Sequence, residues 1–351
     1  MDQNYFIQRD EDNILKIREI RKELPSFCGD FFRGVEQNTT TLTRLGYARD
    51  LKLFFNFLVT ETETFYGKKV LQLEIEDLNK VTATHLEMFL EYISLYRVNG
   101  KIVKNGEKAK CRKLSSVRAM LKYFYKKEEI DSNVGSKIDT PKIHESQIIR
   151  FELDEVEKVL NIAETGEDMT KMQKGFHKHT KARDYAMLSL FLGTGIRISE
   201  CVGLNLDDFD FKQNAFKVTR KGGNKVILYF NEEVSDALQN YILQRKRIKP
   251  LPGSEKALFL SIQNKRITCR AVEKLVKKYS QLVNPLKKIT PHKLRSTFGT
   301  NLYRETNDIY VVADVLGHRD VNTTRKHYAA ISDDIRRSAA QKVRFRESQK
   351  V

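Results

Sequence analysis

The chain has 351 residues, of which 31% are charged and 40% are hydrophobic, and its formal net charge is +17 at pH 7. This length exceeds that of one compact core and favours two domains. The excess of Lys and Arg indicates a polyanionic partner, with nucleic acid as the first candidate. The first residues lack the apolar run of a signal peptide, and no segment approaches the roughly 20 apolar residues that span a bilayer. We therefore expect a cytoplasmic protein with no membrane partner.

The four cysteines are far apart in the sequence and form neither a CxxC motif nor a pairing with histidine. They are Cys28, Cys111, Cys201 and Cys269. This pattern is typical of reduced thiols in a cytosolic protein. No metal site and no cofactor are predicted from it.

The first part of the chain shows helical periodicity. Apolar residues recur at helical spacing over Thr41–Leu58, Thr84–Tyr96 and Leu114–Tyr125. Residues Asp2–Pro25 can add a further helix. The first domain is therefore predicted to be a helical bundle.

Basic residues are concentrated between the second and third of these helices and on the third. A solvated loop is one interpretation, and a face that contacts DNA phosphates is the other, which we favour. The candidate DNA-binding residues are Lys101, Lys104, Lys108, Lys110, Arg112, Lys113, Arg118 and Lys122.

Apolar periodicity disappears over Asp131–Glu145, where Gly, Ser, Pro and Lys interrupt the chain. An interdomain linker is predicted there, which divides the chain into domains 1–140 and 141–351. A polar, basic insertion over Thr165–Lys181 follows the first helix of the second domain.

The second domain is predicted to be mostly helical, with one small antiparallel sheet. Two β-rich runs separated by the turn-forming RKGGNK indicate a hairpin. The predicted helices are Leu153–Ala163, Tyr185–Leu192, Glu232–Arg245, Arg270–Leu282, His292–Arg304, Ile309–Leu316 and Thr323–Tyr328, and the predicted strands are Ala215–Thr219 and Val226–Phe230. The fold class of the whole chain is therefore mainly α.

The segment Gly193–Glu200 reads GTGIRISE and places two glycines where one buried helix ends and another begins. Arg197 lies beside this break and is expected to share a helix face with Glu200. Alone, such a pair is most often a structural ion pair.

In the segment ITPHKLRSTFGT, Thr290 is a candidate N-cap and Pro291 fits the first helical position. His292 and Arg295 then lie three residues apart near the start of the helix. Free N–H groups, an imidazole and a guanidinium together make a site suited to one phosphate.

In the segment VADVLGHRDVNTTRKHY, Gly317 fits a helix C-terminal cap, and His318 lies in the turn after it. Tyr328 ends a short basic helix that follows. A tyrosine in such a place is usually a packing or surface residue when it stands alone.

The order of these residues, R…HxxR…H…Y, resembles that of the tyrosine recombinase family, also called the phage integrase family. The resemblance covers nearly the whole second domain and is greatest to the Xer recombinases, in particular the single-protein Xer type of streptococci and lactococci. Two features depart from the common pattern: Ser296 stands where many Xer proteins have histidine, and the hairpin reads RKGG rather than GKG.

The resemblance implies that Tyr328 is the nucleophile and forms a 3′-phosphotyrosyl bond with DNA. Arg197 and Arg295 would stabilise the charge on the phosphate, since a guanidinium stays charged and presents a planar fork to two oxygens. His292 would contact the scissile phosphate and accept the tyrosine proton, and His318 would donate to a phosphate oxygen.

The resemblance also implies a general acid in the hairpin. Lys221 corresponds to the family's lysine and would protonate the leaving 5′ oxygen. Lys225 across the turn is the alternative, and Glu200 is expected to support Arg197. Neither metal nor ATP is required by this chemistry.

Resemblance to the family further implies a homotetramer on two duplexes, a double-stranded recombination site, a Holliday-junction intermediate and activation by a DNA translocase. The tail Asp333–Lys350 would dock on a neighbouring protomer, and a frayed, charged terminus is the other interpretation of this segment. The implied role is chromosome dimer resolution, and the alternative is an integrase of a phage or mobile element. A type IB topoisomerase and a non-enzymatic DNA-binding protein are the other interpretations.

Overall fold

A computed structural model describes residues 5–98, 100–142, 149–220, 223–317 and 320–321. The chain forms two compact units. One contains the described residues before 143, and the other contains the described residues after 148. No helix in these ranges is both long and apolar enough to cross a lipid bilayer.

The first unit is a helical bundle with one short hairpin. Its helices and strands are α1 (Tyr5–Arg21), α2 (Cys28–Gly34), α3 (Thr41–Glu61), α4 (Ala83–Tyr92), β1 (Leu95–Val98), β2 (Lys101–Lys104) and α5 (Glu107–Lys126). Helix α3 begins where the Thr40 hydroxyl accepts a hydrogen bond from the N–H of Thr43, at 3.2 Å. Single 3-10 turns lie at Glu63–Phe65, Val70–Gln72, Ile75–Lys80 and Val134–Lys137.

Phenylalanine dominates the core of the first unit. Phe54 on α3 packs edge-to-face on Phe89 of α4, with 5.2 Å between ring centres. Phe27 packs in the same way on Phe55 of α3 and on Phe124 of α5. Each such pair adds about 0.5–1.5 kcal/mol to the burial of its apolar surface. The core therefore joins three of the helices that the sequence predicted.

The predicted helix over Thr84–Tyr96 ends earlier than expected, at Tyr92. Strand β1 follows it and pairs antiparallel with β2, from Leu95 opposite Lys104 to Val98 opposite Lys101. The prediction was wrong here because short apolar runs fit a helix and a strand equally well. An Asn-Gly dipeptide between two short runs was the signal for a hairpin.

The second unit is mostly helical and contains one three-stranded antiparallel sheet in the order β3-β4-β5. Its elements are α6 (Leu153–Thr165), α7 (Lys171–Thr194), α8 (Ile198–Gly203), β3 (Phe209–Asp210), β4 (Ala215–Thr219), β5 (Lys225–Tyr229), α9 (Glu232–Arg245), α10 (Cys269–Val283), α11 (Pro291–Thr306) and α12 (Ile309–Leu316), with a 3-10 turn at Leu206–Asp208. The mainly α fold with a small antiparallel sheet is confirmed.

Helix α7 is much longer than the predicted Tyr185–Leu192. It begins at Lys171, after the Thr170 N-cap, so most of the predicted polar insertion is helical. The first half of α7 was not predicted as helix because it lacks apolar periodicity. Its side chains instead contact polar groups elsewhere in the chain.

A buried polar network around Asp184 fixes that half of α7. The carboxylate accepts hydrogen bonds from the Thr180 hydroxyl and from the Tyr279 hydroxyl of α10, both at 3.0 Å. Arg183 donates to its other oxygen at 2.6 and 2.9 Å. Burial raises the pKa of the Tyr279 phenol far above its usual range, so the hydroxyl stays protonated and donates. The network therefore holds α7 against α10.

All four cysteines are free thiols. Cys28 and Cys201 are buried, and burial raises the pKa of both thiols well above the usual range. Since the thiolate is the reactive form, both groups are chemically inert at neutral pH.

Candidate active site

The predicted site begins at the end of α7. Gly195 caps this helix in the left-handed conformation, with φ of 61°, and its N–H donates to the carbonyl of Phe191 at 3.1 Å. Arg197 follows as the N-cap residue of α8, with an extended backbone. The sequence predicted that Arg197 shares a helix face with Glu200. In the structure Arg197 is instead the residue immediately before the helix.

Arg197 is held by a buried carboxylate. Its Nη1 donates to Oε1 of Glu200 at 2.9 Å, and its backbone N–H donates to Oε2 at 3.0 Å. The side chain of Glu200 is 3% exposed, whereas that of Arg197 is 35% exposed. Glu200 therefore fixes the direction of a guanidinium that solvent, or a ligand, can still reach.

Arg295 lies at the other side of the site, in the second turn of α11. This helix begins with Thr290 as N-cap and Pro291 in the first turn, as predicted. Arg295 is buried, and it donates hydrogen bonds to the carbonyls of Gly195 and Leu316. It therefore links the C-terminal ends of α7 and α12. His292, one turn earlier, is exposed.

Three guanidinium groups meet at the last turn of α12. The carbonyls of residues 315–317 each accept a hydrogen bond from a different arginine, which are Arg220, Arg295 and Arg197 in that order. The last carbonyls of a helix have no partner within the helix and carry its partial negative charge. The arginines supply the missing hydrogen-bond donors and balance the partial negative charge. They also bring three positive charges to the same end of α12.

Gly317 ends α12 in the left-handed conformation, with φ of 62°, which fits the predicted C-terminal cap. The next residue is His318. Three predicted catalytic residues, Lys221, His318 and Tyr328, lie outside the described residues, as do the predicted helix Thr323–Tyr328 and the tail Asp333–Lys350.

The hairpin turn that contains Lys221 is described on both sides. The N–H of Arg220 donates to the carbonyl of Asn224 at 2.8 Å, and the N–H of Gly223 donates to the carbonyl of Arg220 at 3.0 Å. Lys225, the alternative general acid, begins β5 and is exposed. Arg220 was not among the predicted site residues, because no sequence pattern shows that it reaches α12.

In the part of the chain that the structure describes, no group of three His, Cys, Asp or Glu side chains could hold a metal ion. Cationic side chains are the charged groups that the described site offers to a phosphate. Two of them, Arg197 and Arg295, were expected from the sequence.

Among the predicted DNA-binding residues of the first unit, four have exposed side chains that are free to meet a phosphate backbone. These are Lys101, Lys104, Lys108 and Lys122. Arg112 is exposed but donates to both carboxylate oxygens of Asp50. Lys110 pairs with Glu107 at 2.7 Å.

Two other predicted DNA-binding residues serve the first unit internally. Lys113 is buried, its ammonium donates to Oδ1 of Asn105 at 3.0 Å, and burial lowers its pKa. Arg118 donates to the carbonyl of Ile138. Both contacts join α5 to neighbouring segments.

Comparison with known proteins agrees with this geometry. The chain matches the phage integrase family over residues 150–334. Tyrosine recombinase XerC of Caldanaerobacter subterraneus subsp. tengcongensis is 31% identical over 349 residues, which cover 96% of this chain and 91% of that protein. Tyrosine recombinase XerS of Streptococcus thermophilus is 30% identical and covers 91% of this chain and 96% of its own length.

Two solved structures share the fold. The XerH site-specific recombinase in a post-cleavage complex with a palindromic difH substrate has a TM-score of 0.65 at 16% identity, covering 97% of this chain and 90% of its own. The Tn1549 transposon integrase in complex with a circular intermediate DNA has a TM-score of 0.63 at 19% identity, covering 89% and 99%.

The family match extends over more than half of the chain, and the chain therefore belongs to the phage integrase family. Within this family it is a tyrosine recombinase of the Xer type, a site-specific DNA recombinase.

Substitution of Gly195 tests how tightly the site is packed. In Gly195→Ala, the new methyl group would collide with the ring of Phe298 and lie 2.9 Å from Cδ2 of Leu316, at a positive φ. We expect a loss of about 2–4 kcal/mol in the free energy of unfolding, from left-handed strain and overpacking. Urea-induced unfolding measures this change.

The control is Gly175→Ala in the exposed half of α7, where a methyl group meets nothing within 4 Å. This variant should gain about 0.5–1 kcal/mol, because alanine is the better helix former. Equal stability of the two variants would mean that the end of α7 is not packed as described.

Proposed function

We propose that the protein resolves chromosome dimers by recombining two copies of a specific DNA site. The observation that carries this proposal is the convergence of Arg197 and Arg295 on the last turn of α12, directly before His318. A phosphate is the ligand that such a cationic site would take, and the neighbouring histidine and the later Tyr328 supply the remaining groups for strand transfer.

The two arginines would stabilise the crowded, negatively charged phosphorus centre during transfer. Phosphoryl transfer depends on positioning and on charge stabilisation, and guanidinium groups serve both. The contacts of Arg197 with Glu200 and Gly317 use part of its donors, and its exposed fraction leaves the rest for phosphate oxygens. Arg295 is held from two sides and needs little reorganisation.

In the proposed cleavage step, the Tyr328 oxygen attacks phosphorus, and the bond from phosphorus to the 5′ oxygen breaks. His292 accepts the phenol proton, His318 donates to a non-bridging oxygen, and Lys221 gives a proton to the leaving 5′ oxygen. The 3′-phosphotyrosyl bond retains the energy of the broken ester. Attack by the 5′ hydroxyl of another strand reverses these events and produces a Holliday junction.

The partner in this proposal is a double-stranded recombination site, held by a homotetramer on two duplexes. The XerH and Tn1549 proteins were both solved with DNA. The first unit would contact the backbone through the four exposed lysines named above, and affinity would then fall steeply with salt. The tail Asp333–Lys350 would connect protomers, and a DNA translocase would activate the assembly.

A plasmid recombination assay tests the proposal. Two directly repeated copies of a roughly 30-base-pair inverted repeat from the replication terminus region, long enough for half-sites about one helical turn apart, are incubated with the full-length protein. We expect excision into two circles, with none from a plasmid that carries one copy.

Relaxation of the one-copy plasmid without excision would instead indicate a topoisomerase. Recombination at the ends of a mobile element, but not at terminus repeats, would assign the protein to integration.

A further inference from the structure

Arg220 forms hydrogen bonds both within the hairpin and to α12. Its backbone joins the described residues on the two sides of Lys221, since its N–H donates to the carbonyl of Asn224 and its carbonyl accepts from the N–H of Gly223. Its side chain leaves the sheet, and Nη2 donates to the carbonyl of Val315 at 3.1 Å. One residue therefore connects the described ends of the hairpin to the last turn of a helix 95 positions later.

The guanidinium of Arg220 also packs against the backbone of Gly317. A β-carbon at this position would overlap with the guanidinium of Arg220. Any side chain at this position would therefore displace the guanidinium from its present place, and φ of 62° also favours glycine. Arg220 directly precedes Lys221 in the chain, and its side chain contacts Gly317, which directly precedes His318.

We propose that Arg220 is a positioning residue that holds Lys221 in place for protonation of the leaving 5′ oxygen. The inference rests on the proposed function, in which Lys221 is the general acid. In that step the bond between phosphorus and the 5′ oxygen breaks as the bond between the tyrosine oxygen and phosphorus forms. The lysine proton goes to the departing 5′ oxygen.

A planar guanidinium is needed for both contacts. One nitrogen reaches the Val315 carbonyl while the rest of the group lies close to Gly317, and the compact ammonium of lysine cannot make both contacts. Contact with DNA is not needed to explain the position of Arg220, since its contacts with Val315 and Gly317 account for it. Loss of Arg220 should therefore disturb the lysine more than the binding of DNA.

The experiment compares two DNA substrates that differ in one atom, the bridging 5′ oxygen or a 5′ sulfur. A thiolate leaves without a proton because thiols are far more acidic than alcohols, so the sulfur substrate does not need the general acid. We expect Arg220→Met to cleave the oxygen substrate about 100-fold more slowly, the loss that a misplacement of about 1 Å can produce. The sulfur substrate should be cleaved at the wild-type rate, and binding of DNA should be unchanged.

Lys217→Met is the matched control, because Lys217 is exposed on β4, three residues before Arg220, and both substrates should be cleaved normally. Arg220→Lys retains the charge and should show the same dependence on the leaving atom, which covers the case that Arg220→Met does not fold. Equal slowing of both substrates by both Arg220 variants would overturn the proposal.

A parallel test of Lys221→Met separates this proposal from the proposed function. If sulfur restores Lys221→Met but not the Arg220 variants, the lysine assignment stands and Arg220 does not position it. If sulfur fails to restore Lys221→Met, Lys221 is not the general acid, and the proposal for Arg220 falls with that assignment.

Discussion

Arg295→Ala is expected to slow strand cleavage by about a thousand-fold, the order of loss found when a group that stabilises transition-state charge is removed. The same change should lower the free energy of unfolding by about 2–4 kcal/mol, since two buried carbonyls lose their donor. Those carbonyls belong to Gly195 and Leu316, at the ends of α7 and α12. The expected effect is therefore both catalytic and structural.

Single-turnover cleavage of a nicked substrate measures the catalytic part, and urea unfolding measures the structural part. Arg304→Ala on the same helix is the control: Arg304 forms a partly exposed pair with Glu152, at 3.4 Å, which contributes little. Arg295→Lys preserves the charge but not the two-sided contact, and should recover little activity. Near-normal cleavage by Arg295→Ala would remove Arg295 from the site.

The parts of the site that were predictable from sequence are those fixed by local rules. The Thr290 cap, Pro291 at the helix start and Gly317 at a helix end follow from backbone requirements that particular residues meet. These rules placed Arg295 near the start of a helix and His318 just after the end of one. The motif order then supplied the family.

The parts that sequence could not provide depend on contacts between distant segments. Arg220 reaches Val315 across 95 residues, and no periodicity or spacing marks such a contact. The polar half of α7 was overlooked for the same reason, since Asp184 finds a partner in Tyr279 of α10. Burial of paired polar groups is a tertiary property.

The exposure of the basic residues in the first unit was likewise not predictable from sequence. A list of basic residues does not distinguish Lys104, which is exposed, from Lys113, whose ammonium is buried on Asn105. Sequence predicts the sign of the surface, and the structure divides the residues between the surface and the interior. The buried members are needed for the fold whatever DNA the protein binds.

Tyr328→Phe is expected to abolish covalent attachment to DNA while leaving DNA affinity intact. The change removes one oxygen, the atom that would bond to phosphorus, and phenylalanine keeps the ring. Because a phenol has a pKa near 10, the proton must leave as attack occurs, and phenylalanine has neither that proton nor the attacking oxygen. Tyr310→Phe is the control, since Tyr310 is exposed on α12 and should react as the wild type does.

Covalent trapping is therefore the most direct test of the account. The wild-type protein, Tyr328→Phe and Tyr310→Phe are incubated with nicked duplexes that carry candidate sites, and the products are separated on a denaturing gel. We predict a slow species that protease removes, present for the wild type and Tyr310→Phe and absent for Tyr328→Phe. The same adduct in Tyr328→Phe, or specific binding by the wild type with no adduct at all, would contradict the assignment of Tyr328 as nucleophile.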